Sequence, residues 1–196
     1  MKAMRAGVGL LSPGPARWYR CAPEPEPVES MSNPLDDFIV VTDVDEADAA
    51  VAELFLRKFR ARVPEFPHHI VAWVRREDGG RAPGCYTHVT DCGDLLLGGG
   101  ACTDDRVLRR MSAHQRSVLR AGGGIYRHTI EWVADQFSAM FPALFVYVGD
   151  ALSERVLRAS GFVATRHERL YIRWLQAVPE HRQRQLVAKA FSFIPF

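Results

Sequence analysis

The chain has 196 residues, of which 47% are hydrophobic and 24% are charged, and its formal net charge is +2. This composition is typical of a globular domain and excludes global disorder, while the small net charge argues against a dedicated nucleic-acid binder. Since no stretch approaches about 18 consecutive apolar residues, the sequence predicts neither a membrane-spanning helix nor a membrane partner.

The four cysteines do not suggest a metal or redox motif. No pair has C-x-x-C spacing, and no arrangement of His, Cys and Asp matches a zinc site, so the sequence predicts no metal. The apolar patch at 6–11 is too short for a signal peptide and is followed by prolines. We therefore expect free thiols in a soluble, cytoplasmic protein.

The first 34 residues differ from the rest, because six prolines lie between Pro13 and Pro34. Proline fixes φ and removes a hydrogen-bond donor, so this segment cannot build a packed element. We expect residues 1–34 to be a disordered Pro-rich tail and residues 35–196 to be the folded domain. An over-assigned start, with translation beginning at Met31, is the alternative.

The first half of the domain predicts a strand, a helix and three further strands. The first strand covers 37–42, and the helix after it is capped by Asp43 or Asp45 and ends before Pro64. The apolar face of this helix consists of Ala47, Val51, Leu54, Phe55 and Phe59. The next strands cover 70–77, 86–90 and 94–102. Short turns between these strands imply an antiparallel meander.

The second half alternates helices and strands. A short helical piece at 106–111 precedes a helix that opens with the capping-box pair Ser112 and Gln115. A central helix follows, with an apolar stripe of Tyr126, Ile130, Val133, Phe137 and Met140. A strand at 143–148, a helix ending at Gly161, strand-rich sequence at 162–174 and a last helix after Pro179 complete the chain.

These elements predict an α/β fold with a mixed, mostly antiparallel sheet and flanking helices. The central helix joins the end of the meander to a new strand, so part of the sheet must be parallel.

Gly122–Gly124, directly before the central helix, is the most informative motif. Glycines let a backbone approach a ligand closely, and a helix N-terminus offers free N–H groups, which together suit a pyrophosphate. A flexible turn is the alternative. A P-loop is absent, and Arg127 stands where Gly-x-Gly-x-x-Gly would need its last glycine.

The segment VYVGDALSERVLRASGF at 146–162, followed by RLYIRW at 169–174, resembles the GNAT superfamily of acyl-CoA-dependent N-acetyltransferases. In particular, the chain is similar to a bacterial GNAT-like group that carries Val-Gly-Asp, Gly-Phe and a C-terminal helix ending in Pro-Phe. The resemblance covers roughly 37–174, mostly as the order of elements.

The resemblance implies a single GNAT-like domain that moves an acetyl or acyl group from CoA to a primary amine by direct transfer. Acetyl-CoA or a longer acyl-CoA would be the co-substrate, and a small-molecule or peptide amine the acceptor. A homodimer is left open. Two alternatives remain: a non-catalytic acyl-CoA-binding module, and a ligand-free interaction protein on the same fold.

The resemblance also implies the site residues. The GNAT loop [Gln/Arg]-x-x-Gly-x-[Gly/Ala] aligns with 119–124 and places Leu119 in the Gln/Arg position. The expected cofactor-binding residues are Arg120, Ala121, Gly122, Gly123, Gly124 and Asp150, where Asp150 stands in place of a common Asn. Leu157 occupies the position of the usual catalytic Tyr, so the usual acid toward the CoA thiolate is missing.

The usual Glu is also absent from the strand before the loop. Asp104 and Asp105, at the end of that strand, are the candidate catalytic residues, because a carboxylate can accept a proton from an amine through water. Capping of the next helical turn is the alternative. Gly98–Gly100 allows either backbone pairing with the acyl-pantetheine arm or a bulge. Cys102 is either a nucleophile or a small buried hydrophobe.

Overall fold

The computed structural model describes residues 33–194, except for the side chain of residue 48. The predicted Pro-rich tail falls almost wholly on residues 1–32, which lie outside the described part, and stays a prediction. The described residues form one seven-stranded sheet flanked by six helices.

The strands follow the predicted order, with a longer third strand. The strands are β1 (Ile39–Val44), β2 (His68–Arg75), β3 (Arg81–Asp91), β4 (Leu96–Thr103), β5 (Ala143–Tyr147), β6 (Val163–Ala164) and β7 (Leu170–Trp174). The helices are α1 (Ala47–Phe59), α2 (Asp105–Arg109), α3 (Ala113–Ala121), α4 (Ile125–Phe137), α5 (Ala151–Ala159) and α6 (Glu180–Phe191).

The sheet has the order β1-β2-β3-β4-β5-β7-β6, and its only parallel pair within the described residues is β4 with β5. The meander of β1 to β4 is antiparallel, as predicted. The crossover through α2, α3 and α4 produces the parallel pair, because a chain that crosses over the sheet re-enters it in the same direction. The predicted α/β architecture is therefore confirmed.

Helices cover both faces of the sheet. On one face, α4 and α5 bury Ile130, Val133 and Leu157 against β4 and β5. On the other face, α1 packs on Tyr86 and Cys102, and α6 packs on the strand residues beside them. β5 contributes to both cores, which explains its unbroken apolar sequence.

Two local predictions are confirmed, one by hydrogen bonds and one by a backbone dihedral angle. Ser112 and Gln115 form the predicted capping box, with Gln115 N donating to Ser112 Oγ over 3.1 Å and Ser112 N to Gln115 Oε1 over 2.9 Å. Gly161 follows α5 with φ of 82°, the left-handed conformation expected just past a helix end.

Two predictions at helix ends are wrong. Glu46, not Asp43 or Asp45, precedes α1, because the Asp43 carboxylate bonds instead to His68 Nδ1 (2.6 Å) and His69 N (3.0 Å). Met140 is 60% exposed rather than buried, since α4 ends three residues earlier. No described helix is both long and apolar enough to cross a membrane.

Candidate active site

β4 and β5 separate after a short parallel contact, and a cleft opens between them. Their pairing covers three positions, from Leu96 with Leu144 to Gly98 with Val146. Beyond Gly98, β4 continues to Thr103 without a partner on that side. A cavity of about 190 Å³ fills the gap, lined on one side by residues 98–101 and on the other by residues 146–150.

A bulge in β4 shapes the floor of this cleft. Tyr86 pairs with Cys102 but His88 pairs with Gly99, so β4 carries Gly100 and Ala101 opposite the single residue Thr87. A bulge leaves the extra residue outside the ladder, which frees backbone N–H and C=O groups. Of the two alternatives for the glycine run, the bulge is present, and pairing of this backbone with an acyl-pantetheine arm stays a prediction.

A second cavity of about 420 Å³ continues the cleft toward the N-terminus of α4. The two cavities share part of their lining: Lys58, Ala101, Tyr126, Asp150 and Ser153. Gly123 and Gly124 line the outer cavity. The arrangement is a continuous channel that runs from the sheet to the start of a helix.

The N–H groups of the glycine loop bond to carbonyls of α3, so they are not available to a ligand. Gly123 N donates to Arg120 O (3.1 Å) and Gly124 N to Leu119 O (2.9 Å), which together form a Schellman motif. Gly122 N donates to Val118 O (2.9 Å). Between residues 122 and 128, the N–H groups without a carbonyl partner are those of residues 125–127, in the first turn of α4.

The remaining predicted cofactor-binding residues lie around this loop. Arg120 and Ala121 close α3 on its exposed side, and Arg120 lines a separate surface pocket next to α2. Asp150 lines both cavities and caps α5, accepting from Leu152 N (2.8 Å) and Ser153 N (2.9 Å). The hydrogen bond from Ser153 N is the main reason why the pKa of Asp150 is lowered.

The two candidate catalytic aspartates lie outside the channel. Asp104 is buried, accepts from Arg106 N (3.0 Å) as the cap of α2, and pairs with Arg57 Nη2 at 2.9 Å. Asp105 is exposed in the first turn of α2. This geometry is that of the capping alternative, and a catalytic role for either residue stays a prediction.

Tyr126 is a channel residue that the sequence interpretation missed. It lies in the first turn of α4 and lines both cavities. Burial raises the pKa of its phenol, so the hydroxyl remains a proton donor at neutral pH. The apolar stripe of the central helix concealed this role, because a stripe position is indistinguishable from a core position in sequence.

Lys58, near the end of α1, was also missed. It is exposed, lines both cavities and forms no salt bridge with any described residue. Its charge contributes, behind the hydrogen bonds of the α5 cap, to the lowered pKa of Asp150. The channel therefore carries an available cation close to the free N–H groups of α4.

Leu157 and Cys102 behave as apolar groups. Leu157 has no exposed surface, lines the inner cavity and belongs to the core with Ile130 and Val133. Burial raises the pKa of Cys102 to about 12, so its sulfur is a protonated thiol rather than a nucleophilic thiolate. No group of three His, Cys, Asp or Glu residues within 33–194 is arranged to hold a metal ion.

No family model and no curated protein matches the chain. Among solved structures, the chain is similar to the ribosomal-protein-S18-alanine N-acetyltransferase from Escherichia coli, with 11% identity, 72% of this chain and 97% of that chain covered, and a TM-score of 0.49. It is also similar to AtaTR bound with AcCoA, with 13% identity, 78% of this chain and 99% of that chain covered, and a TM-score of 0.44. A third similar structure is YhhK from E. coli bound to coenzyme A, with 11% identity, 69% of this chain and 96% of that chain covered, and a TM-score of 0.45.

All three identities lie below 25% and all three TM-scores below 0.5, so no property of these proteins is carried over to this chain.

Proposed function

We propose that the chain is an acyl-CoA-dependent N-acyltransferase that moves an acetyl or acyl group from CoA to a primary amine by direct attack in a ternary complex. The observation that carries the proposal is the channel between β4 and β5. It combines a helix N-terminus and a cation at one end with unpaired peptide groups at the other. A long, thin thioester with an anionic head matches both ends.

The outer cavity suits the pyrophosphate of CoA. The free N–H groups of residues 125–127 and the positive end of the α4 dipole favour an anion, and Lys58 adds a full charge beside them. The glycine loop contributes indirectly, because its Schellman motif turns the chain sharply enough to expose that helix end. Asp150 lines this cavity, whereas Arg120 and Ala121 line neither part of the channel.

The inner cavity suits the pantetheine arm and the thioester. The backbone of residues 98–101 borders the cavity, so N–H groups freed by the bulge can polarise the thioester carbonyl. The amine nitrogen bonds to the carbonyl carbon, the C–S bond breaks, and the CoA thiolate leaves. Tyr126 is the donor we assign to protonate that thiolate.

Asp104 has a weaker claim to the proton of the amine than its position in the sequence suggested. To act as a base it would have to release Arg57 and Arg106, which pair with it, and it lies outside the channel. We therefore do not assign it a catalytic step.

A non-catalytic acyl-CoA-binding module is the second candidate. Leu157 favours it, since an apolar, fully buried side chain occupies the position of the usual acid. The two candidates share the binding step and differ only in whether CoA is released when an amine is present.

Calorimetric titration with acetyl-CoA tests the shared step. Saturation at about 100 times Kd would stabilise the fold by about 2.7 kcal/mol, which for a domain of this size raises Tm by about 5–10 °C. Ala101→Trp fills the junction of the two cavities and should abolish both signals. Ala159→Trp, on the exposed side of α5, is the matched control.

Release of CoA thiol separates the candidates. Acetyl-CoA is incubated with spermidine, tyramine or a peptide with a free N-terminal alanine, and the acylated amine is identified by mass. Product formation supports the transferase, and binding without product supports the module. Absence of acetyl-CoA binding by the parent protein would refute both.

A further inference from the structure

His88 has no role in the channel as described so far, and its surroundings are unusual. It lies on β3, on the face of the sheet that α1 covers, and is 94% buried, with 6% of its surface exposed. Its Nδ1 is the one buried side-chain nitrogen or oxygen between residues 33 and 194 that has no hydrogen-bond partner. A buried polar atom without a partner is costly, so its persistence calls for a reason.

The packing around His88 fixes the ring without satisfying this nitrogen. Phe66 stacks on the ring with centroids 3.5 Å apart and planes 4° from parallel. The neighbouring His69 Nδ1 lies 2.9 Å from the Tyr86 hydroxyl, which shows that the adjacent polar groups are paired with each other. The His88 ring is therefore held in place while its Nδ1 has no hydrogen-bond partner.

The polar edge of the ring faces the β4 bulge. A methyl group on Gly100 would lie 2.3 Å from His88 Cε1 and 2.7 Å from its Nδ1, so only a residue without a side chain allows this approach. Gly100 also has φ of 48° and lines the inner cavity. Gly100 thus contacts the His88 ring and also borders the cavity in which the thioester would lie, whereas His88 itself lines neither cavity.

The ring is neutral at physiological pH. Burial, with a smaller effect of His69, lowers the pKa of His88 to about 4. A neutral imidazole can accept a proton without first losing one, but the same burial makes it a weaker base than an exposed histidine.

We infer that His88 is the general base of the acyl transfer, with Nδ1 accepting the proton of the attacking primary amine at the β4 bulge. The inference rests on the proposed function. As the amine nitrogen bonds to the carbonyl carbon and the C–S bond breaks, the amine proton passes to Nδ1 and Tyr126 protonates the CoA thiolate. The amine enters on the α1 face, where Phe66 belongs to the irregular segment 60–67 and must turn aside to admit it.

The test is chemical rescue of His88→Ala with acetyl-CoA and the amine that the parent protein acylates most rapidly among spermidine, tyramine and the alanyl peptide. We expect turnover to fall by about 100-fold or more, the range of general-base catalysis, with an unchanged Kd for acetyl-CoA. Added imidazole should restore at least a tenth of the parental rate. Pyrazole, a ring of the same size and much lower basicity, should not.

His128→Ala is the matched control, because His128 is also mostly buried with a pKa lowered by burial, but contacts Asn33 and Asp36 away from the channel. It should leave turnover within about threefold. His88→Phe keeps the stacking partner of Phe66 and serves if His88→Ala does not fold; it too should lose about 100-fold.

Each other outcome overturns the inference. If a folded His88 variant turns over within threefold of the parent rate, His88 is not the general base, but the proposed function is unaffected. Equal rescue by imidazole and pyrazole shows that the ring only fills space. A parent protein that binds acetyl-CoA but acylates none of the three amines excludes His88 as a base, whereas one that does not bind acetyl-CoA removes the proposed function as well.

Discussion

Gly124 provides the sharpest test of the anion site, through a pair of substitutions that differ only in charge. It lies at the N-cap of α4 with φ of 95° and ψ of 165°, a conformation that is nearly exclusive to glycine. An added Cβ would meet no atom within 4 Å, so Gly124→Glu and Gly124→Gln share the same backbone strain, about 1–3 kcal/mol, and no clash. Both variants should therefore lose about 2–12 °C in Tm.

The charge of the Glu side chain should have opposite effects on stability and on CoA affinity. A carboxylate at a helix N-terminus stabilises the helix by about 0.3–1 kcal/mol, so Gly124→Glu should be the more stable variant. A pyrophosphate about 6–8 Å away would be repelled by about 2–3 kcal/mol at an effective dielectric constant near 20, so the same variant should bind CoA about 30- to 150-fold more weakly than Gly124→Gln. Calorimetric titration of CoA and thermal melts at low salt measure both. Equal CoA affinity in two folded variants would refute an anion site at this helix end.

Three further predictions test separate parts of the site. Lys58→Met should weaken acetyl-CoA binding up to about fivefold at low salt, and the loss should vanish in high salt because the group is exposed; a salt-independent loss would indicate a packing role. Tyr126→Phe should lower turnover by about 100-fold with little change in acetyl-CoA affinity, since only a proton donor is removed; an unchanged rate excludes Tyr126 as the acid. Burial raises the pKa of Cys85 and of Cys102 from 9.0 to about 12. Above pH 9 the unfolded chain therefore loses thiol protons that the folded chain keeps. The free energy of unfolding should then fall with rising pH, by up to about 1.4 kcal/mol per pH unit for each thiol. Denaturant titrations between pH 8 and 10.5 should show this slope reduced in Cys85→Ala and Cys102→Ala.

The sequence predicted the fold well because its signals are local. Hydrophobic periodicity, prolines and the Ser112–Gln115 capping box each act within one element, and element order then implies one parallel pair. The helix caps show where such reasoning fails. Asp43 could not be assigned correctly, because its partners His68 and His69 are more than 20 residues away and meet it only after β1 pairs with β2.

The sequence suggested a glycine loop as part of the candidate site, but it could not supply the atomic arrangement around that loop. Gly123 and Gly124 do line the channel from which the function is proposed, yet the conformation of Gly124 and the internal bonding of the glycine amides depend on how α3 ends. Lys58, Tyr126 and His88 come from α1, α4 and β3, so nothing in the sequence brings them together before the sheet forms. The strain at Gly124 was equally hidden, although the sequence had correctly shown that a helix begins there.

Tyr126 could supply the general acid that the resemblance would place at position 157, where this chain has Leu157. Both residues line the inner cavity, Leu157 from α5 and Tyr126 from α4, so a hydroxyl on α4 can reach the same space without a change in the channel. Because Leu157 stands where the resemblance places a catalytic Tyr, one would expect from the sequence alone that Leu157→Tyr leaves turnover unchanged or raises it. However, Leu157 has no exposed surface and packs among Ile130 and Val133, so a larger ring there overpacks the core by about 1–3 kcal/mol.

Leu157→Tyr should therefore lower Tm by about 2–12 °C and reduce turnover in proportion to the disturbed channel. Leu157→Met, of similar volume, should change Tm by less than half as much and retain activity, because the role of this position is to fill space. If Leu157→Tyr instead raises turnover, and if it does so equally when combined with Tyr126→Phe, the acid belongs on α5 and our assignment of Tyr126 is wrong.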